Sequence, residues 1–371
     1  MSRIKTLIAA AMIIGCCLLI AVPGCGKVPT WNELTSDEKK AEPKDTSAAD
    51  YANKALADAT RSNGSTQPAP EVKPQPRRTP DVVIAGFMNT PPSQRTDAQL
   101  AELAKLPNGL EEIVEMDLSG SAYVTEVGLS ELPKFTAIKV LKLDGLQASG
   151  EAYAGISGLP QLEVFTASRS RFNELSMRHL APLTNLRVLD LSHTFITDPS
   201  FIHLQKLKKL EEINVSKCAA LNGRGFEALR GAPLRVVSAG ATQFGQFGPL
   251  HIKGSRTLEE LAATRCGMSD EALLVLKSCS SLKKLYLSHN NLSDLGAKHL
   301  GAHRGLVELH LRNTRGISDV GLKFFTKMKQ LETLDLEGTA VSPRGVEALR
   351  RLLKVCTILY QSRQWKGDKA G

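Results

Sequence analysis

The sequence predicts an α/β fold, a solenoid in which parallel strands form one face and helices form the other. A hydrophobic frame, L-x-x-L-x-L, recurs ten times, and seven successive steps between frames are each 24 residues long. Apolar and polar residues alternate within the frame, which is typical of a short strand. Helix-start phrases such as ITD, LSD and ISD follow in several units. Because stacked units bury their apolar faces only against their neighbours, the period indicates a stack. The frames begin at Ile113, Ile138, Leu162, Leu186, Leu210, Leu234, Leu258, Leu282, Leu306 and Leu331.

Residues 1–25 have the composition of an export signal. Arg3 and Lys5 precede an apolar run over residues 7–22, and the sequence V-P-G-C follows, ending at Cys25. This ending resembles a bacterial lipobox, so we expect Cys25 to be the site of lipid attachment, although Pro23 is unusual in such a box.

Two alternatives to lipid attachment at Cys25 stay open. The sequence I-I-G-C ends at Cys16, but cleavage there would leave a short apolar region and an apolar stretch behind it. The signal could also stay uncleaved as an anchor, because about 17 apolar residues is near the lower limit for spanning a bilayer. Each alternative predicts an exported, membrane-anchored protein of the cell envelope, periplasmic or on the surface.

Two segments precede the repeats. Residues 26–80 are predicted to be a disordered, proline-rich tether, because their polar composition cannot bury enough apolar surface. Residues 81–112 are predicted to cap the stack. We expect a strand over residues 82–87 and then a helix that begins at Thr96 or Asp97 and turns Leu100, Leu103 and Leu106 inward.

Residues 113–354 are predicted to be ten units, each a strand, a turn and a helix. Residues 282–300, LKKLYLSHNNLSDLGAKHL, and residues 186–204 carry the pattern most clearly, and they resemble the leucine-rich repeat. Ala167 and Ala239 depart from it by replacing the third leucine. Residues 355–371 are expected to form a C-terminal cap, with a strand over VCTILY and a frayed polar tail.

The resemblance implies that the strands line a concave, horseshoe-shaped face whose side chains bind a partner. Candidate residues on that face are Arg169, His193, Lys217, Arg265, Tyr286, His289, His310 and Arg312. Tyr and Arg dominate interface energetics, which favours a protein-contact patch around Tyr286 and Arg312. The basic column and the net charge of +9 also suit an anionic ligand, while Glu211, Glu212, Glu259 and Glu260 are expected to offset that charge.

Enzyme chemistry is not indicated. The sequence holds no G-x-G-x-x-G, P-loop, H-E-x-x-H or G-x-S-x-G motif, so we expect no catalytic residue, no cofactor and no metal site. His299 and His303 are interpreted as surface residues of an outer helix. The Asp that recurs at the start of each helix phrase is interpreted as a cap. Cys218 and Cys266 lie two units apart and are interpreted as small buried residues.

Three functional hypotheses follow. The first is an exported, membrane-tethered leucine-rich repeat protein that binds a macromolecular partner, most simply another protein, as a non-catalytic scaffold. The second is a structural or adhesive envelope component that binds an anionic glycan or wall polymer. The third, an intracellular adaptor similar to F-box proteins, conflicts with the signal segment. The basic residues are scattered without a long Lys/Arg run, which argues against nucleic acid, and we expect a monomer.

Overall fold

The computed structural model describes residues 79–366 of the chain. The expected signal segment with Cys25, the tether up to residue 78 and the last five residues lie outside this range. Within residues 79–366, no helix combines the length and the apolar character that a bilayer span requires.

Twelve strands within the described range form one sheet in which spatial order follows chain order. Strands β1 to β11 pair in parallel, and each residue pairs with the residue at the same repeat position in the next unit, as Val140 does with Val164. The fold class expected from the repeat is therefore confirmed. The strands are β1 Glu115–Asp117, β2 Val140–Lys142, β3 Val164–Thr166, β4 Val188–Asp190, β5 Glu212–Asn214, β6 Val236–Ser238, β7 Glu260–Ala262, β8 Lys284–Tyr286, β9 Glu308–His310, β10 Thr333–Asp335, β11 Thr357–Tyr360 and β12 Arg363–Lys366.

Helical segments connect the strands. The α-helices are α1 Pro80–Asn89, α2 Asp97–Leu103, α3 Glu126–Leu129, α4 Glu174–Met177, α5 Gly248–Ile252, α6 Asp270–Leu276, α7 Asp294–Leu300, α8 Asp319–Phe325 and α9 Pro343–Leu352. In the second, fourth and fifth units the expected helix is instead a 3₁₀ segment, at Gly150–Gly158, Asp198–Leu204 and Arg224–Leu229. The glycines within the first and last of these segments lower the propensity for a regular α-helix there.

The core is the space between the sheet and the helical layer. All ten first residues of the frames are buried, together with the second apolar residue of each frame. Aromatic rings bridge neighbouring units: Phe226 packs against Phe201 and Phe244, with ring centroids 5.4 and 4.9 Å apart. Phe165 and Phe172 lie in the unit of Ala167, and Phe244 lies in the unit of Ala239, so rings supply volume where the third leucine is missing.

Aspartates at the helix starts join successive units. Six of the α-helices in the described range, α2, α3 and α6 to α9, are capped by their own Ser or Thr, as when Ser293 Oγ accepts a hydrogen bond from the backbone N–H of Leu295 at 3.1 Å. The carboxylate of Asp294 accepts from the backbone N–H of Ser318 at 2.8 Å and from its hydroxyl at 2.6 Å. The recurring Asp is therefore a cap, but it caps the next unit rather than its own. Asp97, Asp198, Asp270 and Asp319 make equivalent contacts to the units that follow them.

The N-terminal cap differs from expectation in its first element. Residues 82–87, expected as a strand, belong to helix α1, which begins with Pro80 at a position that suits proline. Val83 and Phe87 are buried on one side of this helix, while Val82 is 56% exposed. Helix α2 was expected, and Thr96 and Gln99 form a reciprocal capping box at its start.

The C-terminal cap also differs from expectation. Strand β11 lies within the expected segment, but part of the tail expected to be frayed forms strand β12, which pairs antiparallel to β11. Gln361 and Ser362 join them with left-handed φ angles of 50° and 56°, the geometry of a tight hairpin turn. Such turns usually carry Asn or Gly, so the Gln-Ser pair gave no signal for a hairpin.

Candidate binding site on the sheet face

Three neighbouring strands place Tyr286, His310 and Asp335 side by side. The strand register pairs Tyr286 with His310 and His310 with Asp335. Their side chains alternate with the buried leucines of the same strands, so they lie on the face of the sheet that is turned away from the core. The rings of Tyr286 and His310 are stacked at a tilt of 31°, with centroids 4.9 Å apart.

Hydrogen bonds and ion pairs fix this group. His310 Nε2 lies 2.8 Å from Glu308 Oε1, and its Nδ1 lies 3.6 Å from Asp335 Oδ2. Arg312 Nε donates to the same Asp335 oxygen at 3.1 Å. Asp335 is almost completely buried, and its other carboxylate oxygen accepts from the backbone N–H of Glu337. We call Tyr286, Glu308, His310, Arg312 and Asp335 the Tyr286 cluster.

The environment of the Tyr286 cluster shifts three pKa values. The nearby carboxylate of Asp335 and the hydrogen bond to Glu308 raise the pKa of His310 despite partial burial. Burial pushes the pKa of Asp335 upward, but the contact with His310 and hydrogen bonds from Glu337 and Arg312 outweigh it and hold the pKa below its usual value. Burial, a hydrogen bond to Glu308 and the charge of Glu260 raise the pKa of Tyr286 to about 12. The cluster therefore presents a neutral phenol and favours a protonated imidazole.

The structure brings together three of the eight candidate residues, Tyr286, His310 and Arg312. His289 lies apart, at the turn beyond strand β8, where its Nε2 is 3.3 Å from Asn313 Nδ2. Sequence reasoning did not select Glu308 and Asp335. Their positions could have identified them, because both occupy outward strand positions next to His310: Glu308 on the same strand and Asp335 on the neighbouring one.

The other basic candidates share one repeat position, and it is a turn rather than a strand position. We call Arg169, His193, Lys217, Ala241, Arg265, His289 and Asn313 the turn row. All seven adopt left-handed φ angles between 54° and 62°, and Gly120, Gly145 and Gly338 occupy the same position in the remaining units. Each backbone N–H in the row donates to a carbonyl of the next unit, as from Arg169 to Ser192 at 2.9 Å. The row therefore extends the parallel ladder beyond the strands.

The opposite edge of the sheet carries a ladder of alternating charge. Glu211 lies between Arg187 and Arg235, at 3.0 and 4.0 Å, and Glu259 lies between Arg235 and Lys283, at 3.1 and 3.0 Å. The charge ladder consists of Lys139, Glu163, Arg187, Glu211, Arg235, Glu259 and Lys283, one residue in each of seven successive units. A groove of about 680 Å³ runs beside its second half.

The charge ladder corrects an expectation about the glutamates. Glu211 and Glu259 were expected to offset the basic turn row, but they pair with cations at the other edge of the sheet. A hydrogen bond from Arg187 lowers the pKa of Glu211, and hydrogen bonds from Lys283 and Arg235 lower that of Glu259. Glu260 pairs with Lys284 at 3.5 Å. Glu211, Glu259 and Glu260 therefore pair with cations outside the turn row and do not neutralise it.

The remaining reactive side chains belong to the fold. Cys218 and Cys266 are buried and free, and burial raises the pKa of Cys266 to about 12. His303 was expected on the surface but is buried, because its repeat position is a core position, which other units fill with Leu183, Leu207, Cys279 and Met328. In the part of the chain that the structure describes, no three His, Cys, Asp or Glu side chains group as a metal site requires.

Comparisons with known proteins agree with this architecture. A family model described as leucine-rich repeat matches residues 278–301, the unit that holds Asn290. With its parallel sheet and ten frames, the chain has the fold of a leucine-rich repeat solenoid. No enzymatic family is indicated by these matches.

Individual relatives are distant. Human podocan-like protein 1 is 26% identical over 249 residues, which are 59% of this chain and 47% of that protein, so the chain spans about half the length of this curated relative. Among solved structures, an internalin from Listeria monocytogenes has a TM-score of 0.48 at 17% identity, covering 75% of this chain and 86% of its own. The plant peptide hormone receptor RGFR1 in complex with RGF2 has a TM-score of 0.44 at 18% identity, covering 71% and 41%.

Proposed function

We propose that this protein is exported, is held at a membrane by its N-terminus and binds a protein partner through the Tyr286 cluster without catalysing a reaction. The observation that carries the binding site is the pairing of a stacked aromatic ring with an anchored arginine. Tyr286 is stacked on His310, and Arg312 is held by the buried carboxylate of Asp335. Tyr and Arg are the residue types that dominate binding energy at protein interfaces.

The ordering of the Tyr286 cluster favours tight binding. A flexible side chain loses roughly 0.5–1.5 kcal/mol of conformational freedom when an interface immobilises it. The ring of Tyr286 and the guanidinium of Arg312 are already restrained in the free protein by His310 and Asp335. Arg312 remains about half exposed, with a side-chain exposure of 48%, and can still reach a partner.

Affinity capture tests the site. Full-length protein, expressed with its membrane anchor, is compared with the double variant Tyr286→Ala and Arg312→Ala in pull-downs from envelope extract. Each hot-spot residue contributes about 2 kcal/mol or more, so we expect the captured partner to fall at least about tenfold. The matched control is Tyr123→Ala with Lys139→Ala, which removes an exposed tyrosine and an ion-paired cation at the other end of the sheet. Equal capture by wild type and cluster variant would reject the site.

Mass spectrometry of the mature N-terminus tests export and tethering. We expect the mature chain to begin at an acylated Cys25, and Cys25→Ser to abolish acylation and to accumulate the unprocessed precursor. Cys16→Ser is the control and should leave processing unchanged. An unacylated mature N-terminus at any other residue would contradict lipid attachment at Cys25.

A further inference from the structure

The cations of the turn row differ from those of the charge ladder in having no counter-charge. Within residues 79–366, the side chains of Arg169, Lys217 and Arg265 make no ion pair and no hydrogen bond, and all three are exposed. By contrast, Arg187 and Arg235 each lie within 4.0 Å of a glutamate. The turn edge of the sheet is therefore a line of unneutralised positive charge, while the opposite edge is balanced.

The backbone of the turn row shows that the fold itself does not require these side chains. Every residue of the row has a left-handed φ, which glycine adopts without steric conflict and other residues adopt with strain. Glycine does occupy this position in three units. Five of the seven other units carry Arg, Lys or His there. Strained backbone is enriched at functional sites, and unpaired basic side chains that the backbone does not require point to a ligand outside the fold.

The spacing of the cations fits an extended polymer. Neighbouring strands lie about 4.8 Å apart, so cations in every second unit lie about 10 Å apart along the row. Arg169, Lys217 and Arg265 follow one another at this interval, with His193 between the first two. Each strand of a DNA duplex carries a phosphate about every 3.4 Å along its axis, a closer spacing than the row provides.

An exposed aromatic ring flanks the turn row. Phe195 is 69% exposed and lies two residues beyond His193, and Arg171 is exposed at the same distance beyond Arg169. An exposed ring offers an apolar surface on which the C–H face of a sugar can pack. Because the row lies along an open edge rather than in a pocket, it suits a chain molecule longer than one sugar.

We propose that the turn row binds a linear acidic polysaccharide that carries one negative charge per disaccharide, with the polymer lying across successive units from Arg169 to Arg265. Alternate cations of the row then meet successive acidic groups, and Phe195 packs against a sugar ring. This surface is separate from the Tyr286 cluster, so polymer and protein could be bound by different parts of one sheet.

Glycine substitution tests the proposal without harming the fold. The triple variant Arg169→Gly, Lys217→Gly and Arg265→Gly removes the charges and places glycine where the backbone is already left-handed, so we expect thermal stability to be retained or raised. The matched control, Arg187→Gln, Arg235→Gln and Lys283→Gln, removes the same charge from the ladder. Binding of full-length protein to hyaluronan, dextran and single-stranded poly(dT) is measured across a salt series.

We expect wild-type protein to bind hyaluronan and not dextran. The glycine variant should bind hyaluronan at least about tenfold more weakly, and its affinity should depend less steeply on salt. The ladder control should keep the wild-type affinity. An equal loss in both triple variants would show that net charge alone is responsible and would overturn the proposal. Unchanged binding by the glycine variant, or tighter binding of poly(dT) than of hyaluronan, would overturn it as well. Capture of a protein partner through the Tyr286 cluster is measured separately and can succeed or fail independently.

Discussion

At the scale of single residues, position in the repeat decides what a side chain can do. Arg265 and Arg312 are both exposed arginines near the ends of strands, yet Arg312 is anchored by Asp335 and Arg265 has no partner in the described part of the chain. The difference comes from the backbone. Arg265 lies in the left-handed turn, with φ 54°, whereas Arg312 lies two residues beyond strand β9 with a φ outside that region.

The residue types at each repeat position could be predicted from the sequence, but the backbone geometry at that position could not. Counting in steps of 24 places Arg169, His193 and Lys217 at equivalent positions. Arg and Lys do not indicate a left-handed backbone. The residues that could have indicated it are Gly120, Gly145 and Gly338, which occupy the same repeat position in other units. The stacking of Tyr286 on His310 could be anticipated, because the two residues occupy equivalent repeat positions. The burial of Asp335 depends on the packing around it, which the repeat pattern does not show.

The raised pKa of His310 predicts a pH-dependent contribution to stability. A histidine whose folded pKa exceeds its unfolded value of about 6.5 stabilises the fold below that value, and the contribution is lost as pH rises through the folded pKa. Asp335, whose folded pKa is depressed, stabilises above its unfolded value of about 3.9 and loses this as pH falls. The free energy of unfolding of wild type should therefore exceed that of His310→Gln most clearly near pH 5–6, roughly between these two values, and less once pH rises above the folded pKa of His310.

His193→Gln is the control for this measurement, and its difference in stability from wild type should change with pH in the opposite direction. Burial and the nearby charges of Lys217 and Arg169 lower the pKa of His193. Wild type should then lose stability relative to His193→Gln as pH falls below about 6.5. Urea titrations of both variants from pH 4 to 9 measure the two trends. A pH-independent difference for His310→Gln would show that the contacts of His310 with Asp335 and Glu308 do not persist in solution.

At the scale of elements, the strands of the repeats were predictable, whereas the outermost element of each cap was not. Ten repeats of one frame fix the strands, because each frame repeats the same alternation at the same step. Helix α1 and strand β12 occur once each and are outside the repeat. An apolar run such as VVIAGF suits either a strand or a buried helix. In the structure it forms helix α1, which buries Val83 and Phe87 and packs on helix α2.

The aspartate caps that join neighbouring helices predict a specific cost for adding one methyl group. Gly321 lies in the first turn of α8, and a Cβ there would come within 2.5 Å of Asp294 Oδ1. Gly321→Ala should therefore displace the carboxylate that binds Ser318 and lower the free energy of unfolding by about 1–3 kcal/mol. Urea denaturation measures this difference.

Two further variants separate the steric effect from helix propensity. Gly86 lies inside helix α1 with open space around it, so Gly86→Ala should stabilise by about 0.5–1 kcal/mol. The double variant Asp294→Ala with Gly321→Ala removes the carboxylate that the new methyl group meets, so its cost should be less than the sum of the two single costs. Additive costs would mean that Asp294 and Gly321 do not interact.

At the scale of the whole molecule, each unit contacts only its neighbours, so the ends of the stack need separate protection. Arg95 provides it at the N-terminal end. Its guanidinium is 5% exposed, lies 4.3 Å from the ring centroid of Phe87 and donates to carbonyls of Met88, Thr90 and Asp117, the last residue of strand β1. At the other end, strand β12 covers β11, and the hydroxyl of Tyr360 donates to the Val341 carbonyl at 2.8 Å.

A change at one end should therefore loosen that end alone. Arg95→Lys keeps the charge but cannot reach three carbonyls at once, so we expect it to cost about 2–4 kcal/mol of local stability. Hydrogen exchange should quicken at the amides of Leu118 and Gly120, which bond to the next unit, and stay unchanged across β8 to β10. Tyr360→Phe should produce the mirror image, with faster exchange confined to β10 and β11. If either variant quickened exchange uniformly along the sheet, the twelve strands would open as one cooperative unit, and the nearest-neighbour description of this solenoid would be wrong.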